Sequence, residues 1–138
     1  MENESSVKIL SEWDIVSARQ LGRNIAKELG FGTVDQTRIT TAISELARNI
    51  YLYAGQGEIY LEPVKGLEKR GLKVIAVDHG PGIQDIRRVM EDGFSTSGGL
   101  GAGLPGVKRL MDEFDLISSL GAGTTIRVVK WLRDRRVG

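Results

Sequence analysis

The chain has no cysteine, which excludes disulfides, thiolate metal centres and thiol nucleophiles together and fits a reducing compartment. It has one histidine, three prolines and 6% aromatic residues, so neither a histidine-built metal site nor a proline-rich linker is available. No run approaches the roughly 18 apolar residues of a membrane span. The polar, acidic start Met1-Glu-Asn-Glu-Ser-Ser6 lacks the basic and then apolar pattern of a signal peptide, and the expected location is the cytoplasm. Nor is there charge of one sign to spare: 19 basic against 18 acidic residues leave +1, too little for long-range attraction to nucleic acid or membrane.

What the chain does have is enough apolar content, 41% of 138 residues, to pack one core, so residues 1–138 are expected to form one domain. Val7–Leu10 alternates like an edge strand. Ile15, Val16, Ala18, Leu21, Ile25, Ala26 and Leu29 then recur at helical spacing until Gly30. A second and longer helix is expected from Thr33 to Gly55, turning Ile39, Ala42, Ile43, Leu46, Ala47 and Ile50 inward. Gly57–Val64 and Leu72–Asp78 read as strands joined by a turn over Lys65–Gly71. Glycine-rich residues 80–106, with a short helical pattern at Ile86–Met90, read as a functional loop. A helix over Val107–Phe114 and strands over Asp115–Leu120 and Thr124–Leu132, joined by Gly121-Ala-Gly123, complete the chain. Short turns between most strands, with helices able to cover one face, predict an α+β fold, a two-layer α/β sandwich.

Three features carry chemistry. Glu45 and Asn49 lie four residues apart on the long helix, so they share a face beside the apolar stripe; taken alone, such a pair is more often solvated surface. Asp78-His-Gly-Pro-Gly-Ile83 ends an apolar strand with a carboxylate able to accept a hydrogen bond from a ligand amine, although the same residues also make an ordinary turn. Gly98-Gly-Leu-Gly-Ala-Gly-Leu-Pro-Gly106 holds five glycines in nine residues and leads into a helix, where free backbone N–H groups suit phosphate oxygens.

Residues 101–106 match G-x-G-x-x-G, but no strand precedes them and no acidic residue follows at the distance a dinucleotide site needs. A Walker loop would need Lys and Ser/Thr after Gly106, where Val107 stands. The strand lysine and His-Arg-Asp loop of eukaryotic-type kinases are also missing.

Four boxes in order remain: Glu-x-x-x-Asn on a helix, Asp-x-Gly-x-Gly after a strand, a glycine-rich segment, and Gly121-Ala-Gly-Thr-Thr125 before the last strand. Over Ser44–Val129 that order resembles the Bergerat-fold (GHKL) ATPases, the superfamily of DNA gyrase B, MutL and the histidine kinases. The resemblance implies a mixed, mainly antiparallel sheet covered on one face by helices, with ATP and Mg2+ as cofactors. It implies that Asp78 binds the adenine amino group, supported by Thr124 or Thr125, and that Gly80 and Gly82 leave room for base and sugar. It implies that Asn49 holds the magnesium, a hard ion suited to a carboxamide oxygen. Gly99, Leu100, Gly101, Ala102, Gly103 and Leu104 would close over the phosphates, and Glu45 would be the general base.

The stretches Glu12-Trp-Asp-Ile-Val16, Ala18–Gly22, Glu45–Tyr53 and Asp92–Gly106 narrow the resemblance to the switch serine/threonine kinases of the bacterial stressosome. That implies STAS-domain scaffold proteins, RsbS and RsbR, as substrates, and release of the kinase to bind and activate the phosphatase RsbU. His79 sits in a glycine-dominated box without the helical setting of a phosphoacceptor, which argues against a two-component histidine kinase. Related anti-sigma kinases tend to carry an arginine just before the lid glycines; Thr96-Ser-Gly-Gly-Leu100 has none, so slow, partner-dependent turnover is expected. The alternatives are an anti-sigma-factor-type kinase, a stand-alone ATP hydrolase, and a binding module that ATP merely switches.

Overall fold

A computed structural model describes residues 5–82 and 103–132; the expected helical pattern at 86–90 and residues 99–102 lie outside them. The described residues form three helices and five strands. The strands are β1 (Ser5–Ile9), β2 (Gly57–Gly66), β3 (Lys69–Asp78), β4 (Glu113–Ser119) and β5 (Gly123–Leu132); the helices are α1 (Glu12–Leu29), α2 (Thr33–Tyr53) and α3 (Gly103–Leu110). The sheet order is β1-β2-β3-β5-β4, and among the described residues all four pairings are antiparallel.

Alternation along each strand decides which side chains meet the helices. Ile59 and Leu61 of β2, Leu72, Val74 and Ala76 of β3, and Ile126 and Val128 of β5 are buried and paired in register across the sheet. The same parity places Asp78 and Thr124 on this core face at one end of their strands, and Lys130 on it at the other. The Lys130 ammonium is nearly buried and donates to the Leu110 carbonyl at 2.9 Å, with the Asp112 and Asp35 carboxylates at 3.7 and 3.8 Å. It thereby holds the C-terminal end of α3, where a cation also suits the helix dipole.

α2 runs through the middle of the helical layer, touching α1, α3, β1, β2 and β3. Residues 42–47 are therefore all buried, more of the helix surface than one amphipathic stripe would cover. Small residues make this possible: a side chain at Gly22 of α1 would overlap Ile43 Cδ1. The buried hydroxyls are satisfied within the helix, Ser44 Oγ donating to the Thr40 carbonyl at 2.9 Å and Thr40 Oγ1 to that of Thr37 at 3.1 Å. α1 ends at Gly30, whose φ of 100° is the left-handed cap that glycine favours.

Two sequence expectations need correction. The β2–β3 turn is not Lys65–Gly71 but the two residues Leu67-Glu68, because pairing continues to Gly66↔Lys69. Gly66 and Gly71 instead make a flat bed for Trp131: a Cβ on Gly71 would lie 2.9 Å from its ring and one on Gly66 3.2 Å from it. Lys69 Nζ sits 4.3 Å from the ring centroid, and the indole N–H donates to Glu113 at 2.8 Å. The helix expected at Val107–Phe114 is α3, Gly103–Leu110, about one turn earlier. Pro105 fits a first helical turn, Leu104, Val107 and Met111 supply the buried row, and Phe114 already pairs with Val128 in β4.

At the start of α1 the Asp14 carboxylate accepts from the Leu10 amide at 2.8 Å and the Ser11 amide at 2.9 Å. The Leu10 bond above all holds its carboxyl below the usual carboxylate range, against a smaller opposing effect of desolvation. A carboxyl lowered in the folded state stabilises above its unfolded pKa of about 3.9, and that contribution disappears as pH falls through the folded value. Asp14→Asn is expected to lower Tm by about 2–4 °C at neutral pH and by much less near about pH 3. Equal losses in thermal melts at both pH values would show that the charged carboxylate is not what caps the helix.

Candidate functional site

Glu45 is the charged residue in the buried middle of α2, 5% exposed, whereas the pair Glu45–Asn49 taken alone reads as solvated surface. Arg48 Nη1 donates to its Oε2 at 3.2 Å; Oε1 is buried and has no hydrogen-bond partner among the described residues. Buried polar atoms are nearly always bonded, so an unbonded carboxylate oxygen makes Glu45 a candidate for the site. Asn49 follows one turn on, half-buried.

Asp78 lies at the end of β3, beside the C-terminal end of α2. A Cβ on Gly57 would stand 2.7 Å from Ile50 and 3.1 Å from the Asp78 Cβ, and one on Gly80 would stand 2.6 Å from the Ala54 Cβ. The last turns of α2 thus abut the segment that follows β3. Asp78 Oδ1 accepts from the Gly80 amide at 2.9 Å, a local turn that fixes the carboxylate. Gly82, at φ 83°, lies against the Ser119 backbone, the Gly121 amide donates to the Pro81 carbonyl at 2.9 Å, and Gly123, at φ 99°, lies against the Asp78 carbonyl and the His79 Cα. The turn after β3 and the turn between β4 and β5 therefore dock backbone to backbone.

Thr124, 8% exposed, pairs directly with Asp78, and Ser118 Oγ lies 2.9 Å from its Oγ1 and donates to the Gly123 carbonyl at 3.2 Å. Thr125, one residue on, lies on the other face opposite Val77 and Ile117, so Thr124 and not Thr125 stands beside Asp78. Gly103, at φ 68°, and Leu104 open α3 and are buried. Gly99, Leu100, Gly101 and Ala102 lie outside the described residues. His79 is exposed at the rim. Arg48 and Ser118 are the site neighbours that sequence reasoning missed; Ser118 follows only from strand register, while Arg48 is visible as a cation one helical turn from Glu45.

A buried carboxylate and a carboxamide on one helix, and a strand-end aspartate held by docked glycine turns beside the end of that helix, are the described parts of the candidate site. Residues 34–134 match the family described as histidine kinase-, DNA gyrase B-, and HSP90-like ATPase, and the chain belongs to that family. Within it the chain is 74% identical over 133 residues to serine/threonine-protein kinase RsbT of Bacillus subtilis (strain 168), covering 96% of this chain and 100% of the relative. It is thus an ATP-using serine/threonine-protein kinase of that type.

It is also 27% identical over 139 residues to the anti-sigma F factor of Caldanaerobacter subterraneus subsp. tengcongensis, covering 97% of both chains. The solved RsbU and RsbW domains of a Mycobacterium tuberculosis protein share the fold, with a TM-score of 0.61 at 18% identity; the match covers 95% of this chain and 34% of that one. Among the described residues no helix is long and apolar enough to cross a membrane.

Two glycines separate packing from backbone conformation at the docked turns. Gly121, at φ 78°, has open space around a would-be Cβ, whereas one on Gly123 would overlap the Asp78 carbonyl oxygen. Gly121→Ala is expected to cost about 1 kcal/mol for the left-handed backbone alone, and Gly123→Ala about 3 kcal/mol or more. Urea denaturation reads both, and equal losses would show that the close approach to Asp78 does not hold this corner.

Proposed function

We propose that residues 1–138 act as one kinase unit in the cytoplasm, transferring the γ-phosphate of ATP to a serine or threonine of the STAS-domain scaffold proteins RsbS and RsbR. On release the kinase binds and activates the phosphatase RsbU. The observation that carries the catalytic part is the buried, unpartnered Oε1 of Glu45 one turn from Asn49. The 74% identity to RsbT supports the partners.

In this reading Asp78 accepts from the adenine amino group through Oδ2, since the Gly80 amide occupies Oδ1, and Thr124 supports it. Gly80 and Gly82 let the turn after Asp78 close against Ala54 and Ser119, where a side chain would overlap them, and in this reading that turn borders base and sugar. Asn49 offers its carboxamide oxygen to Mg2+, which when bound neutralises charge on the phosphate oxygens. Residues 99–104 would bind the phosphates. Glu45 Oε1 takes the proton of the acceptor hydroxyl as its oxygen bonds to the γ-phosphorus. The bond from that phosphorus to the β–γ bridging oxygen breaks, ADP leaves, and the proton passes from Glu45 to water.

Glu45→Ala is expected to lower label transfer from ATP to scaffold by about 100-fold or more while leaving the ATP Kd within about twofold. Asp78→Asn is expected to raise the ATP Kd by about tenfold or more, the loss of one hydrogen bond to a charged acceptor. Radiolabel transfer and calorimetry read these separately, and normal transfer by Glu45→Ala would remove the base assignment. ATP consumption by the chain alone is expected to be slow and to rise when scaffold is added; equally fast rates would favour a stand-alone hydrolase.

A further inference from the structure

Glu45 and Arg48 are one helical turn apart on α2, and their pairing needs no other element. The two ends of the pair differ: the Glu45 side chain is 7% exposed and the Arg48 side chain 37%, so a part-exposed guanidinium donates inward to a buried carboxylate. A carboxylate moved out of water needs its charge compensated and its lone pairs filled. Here the compensation falls on one oxygen, Oε2, and Oε1 is left unfilled. Because the guanidinium is planar and carries several donors in fixed directions, it also restrains rotation of the carboxylate it grips.

We infer that Arg48 is a positioning residue for phosphotransfer: it holds Glu45 by Oε2 and thereby keeps Oε1 as the oxygen presented to the acceptor hydroxyl. This rests on the reading of Glu45 as the base. Arg48 acts through Glu45 and not on the phosphates, so its effect exists only while the carboxylate is there to be held. Misplacement of a base lowers the rate of the chemical step without weakening nucleotide binding.

The test is a double-mutant cycle on the full chain, with a purified STAS-domain scaffold as acceptor, measuring kcat and the KM for ATP, and with thermal melts on every variant. Glu45→Gln is expected to lower kcat by about 100-fold. Arg48→Ala is expected to lower it by about tenfold with the KM for ATP within about twofold, and Arg48→Lys to recover most of the loss. The double variant is expected to be no slower than Glu45→Gln alone, the non-additivity of residues acting as a unit. Wild-type kcat for Arg48→Ala beside an impaired Glu45→Gln overturns the inference while leaving the base in place. So does a further tenfold loss from Arg48→Ala in the Glu45→Gln background, which would put the guanidinium on the phosphates. Failure of Arg48→Lys to recover kcat, with both Arg48 variants melting well below wild type, shows a merely structural residue. If Glu45→Gln transfers at the wild-type rate, or the wild-type chain labels no scaffold, the reading of Glu45 falls and this inference with it.

Discussion

The enclosure of α2 is the constraint on which the site depends. A helix that packs on one side offers its polar residues to water, but α2 packs against another helix on each side and against the sheet, so residues 42–47 have no solvent face. Most of that stretch meets the demand cheaply, with apolar side chains, alanines and hydroxyls that bond back to their own helix. Glu45 does not. Its carboxylate is held in the layer with one oxygen bonded and one bare, an arrangement that costs stability unless something else fills it. Local rules are broken most openly at functional positions, and this is where the chain breaks one.

The sheet contributes the second half of the site by parity. Rows of Leu, Val and Ile on the core face run out at both ends into polar residues, and the two ends are managed differently. At one end Lys130 is fully engaged, with the Leu110 carbonyl and two carboxylates around it, and it fastens α3 to the start of α2. At the other, Asp78 and Thr124 are braced from behind, by the Gly80 amide and by Ser118, and by glycines whose backbones dock without side chains between them. One end is closed by a cation, and the other sets a half-buried carboxylate on a rigid footing.

Much of this was legible in the residues. Helical spacing placed α1 and α2 within a few positions, Gly30 marked a cap, and the order of the four boxes pointed to the ATPase fold. Parity with Ile126 and Val128 would have chosen Thr124 over Thr125. The β2–β3 turn reads as longer than it is because Gly66 and Gly71 have the composition of a loop, while their role is to admit Trp131 from the distant strand β5. The residue pattern puts α3 one turn late because Gly103 and Gly106 disguise a helix whose buried row starts at Leu104. The burial of Glu45 was not legible, since local spacing shows one apolar stripe and cannot show that neighbours close in from several directions. Ser118 is a matter of register between strands, and no local pattern carries it.

The bed of Gly66 and Gly71 beneath Trp131 has an optical consequence. The chain has two tryptophans, and Trp13 is 79% exposed, so its emission is that of an indole in water whether the protein is folded or not. Trp131 is half-buried, with an ammonium over its ring and a carboxylate on its nitrogen, surroundings that exist only while β2, β3, β5 and β4 are joined. Its partner Gly71 is seven residues along β3 from Asp78, roughly 23 Å at strand spacing. The intrinsic fluorescence of this protein is therefore a gauge of whether the sheet is intact, and a poor gauge of what happens at the site.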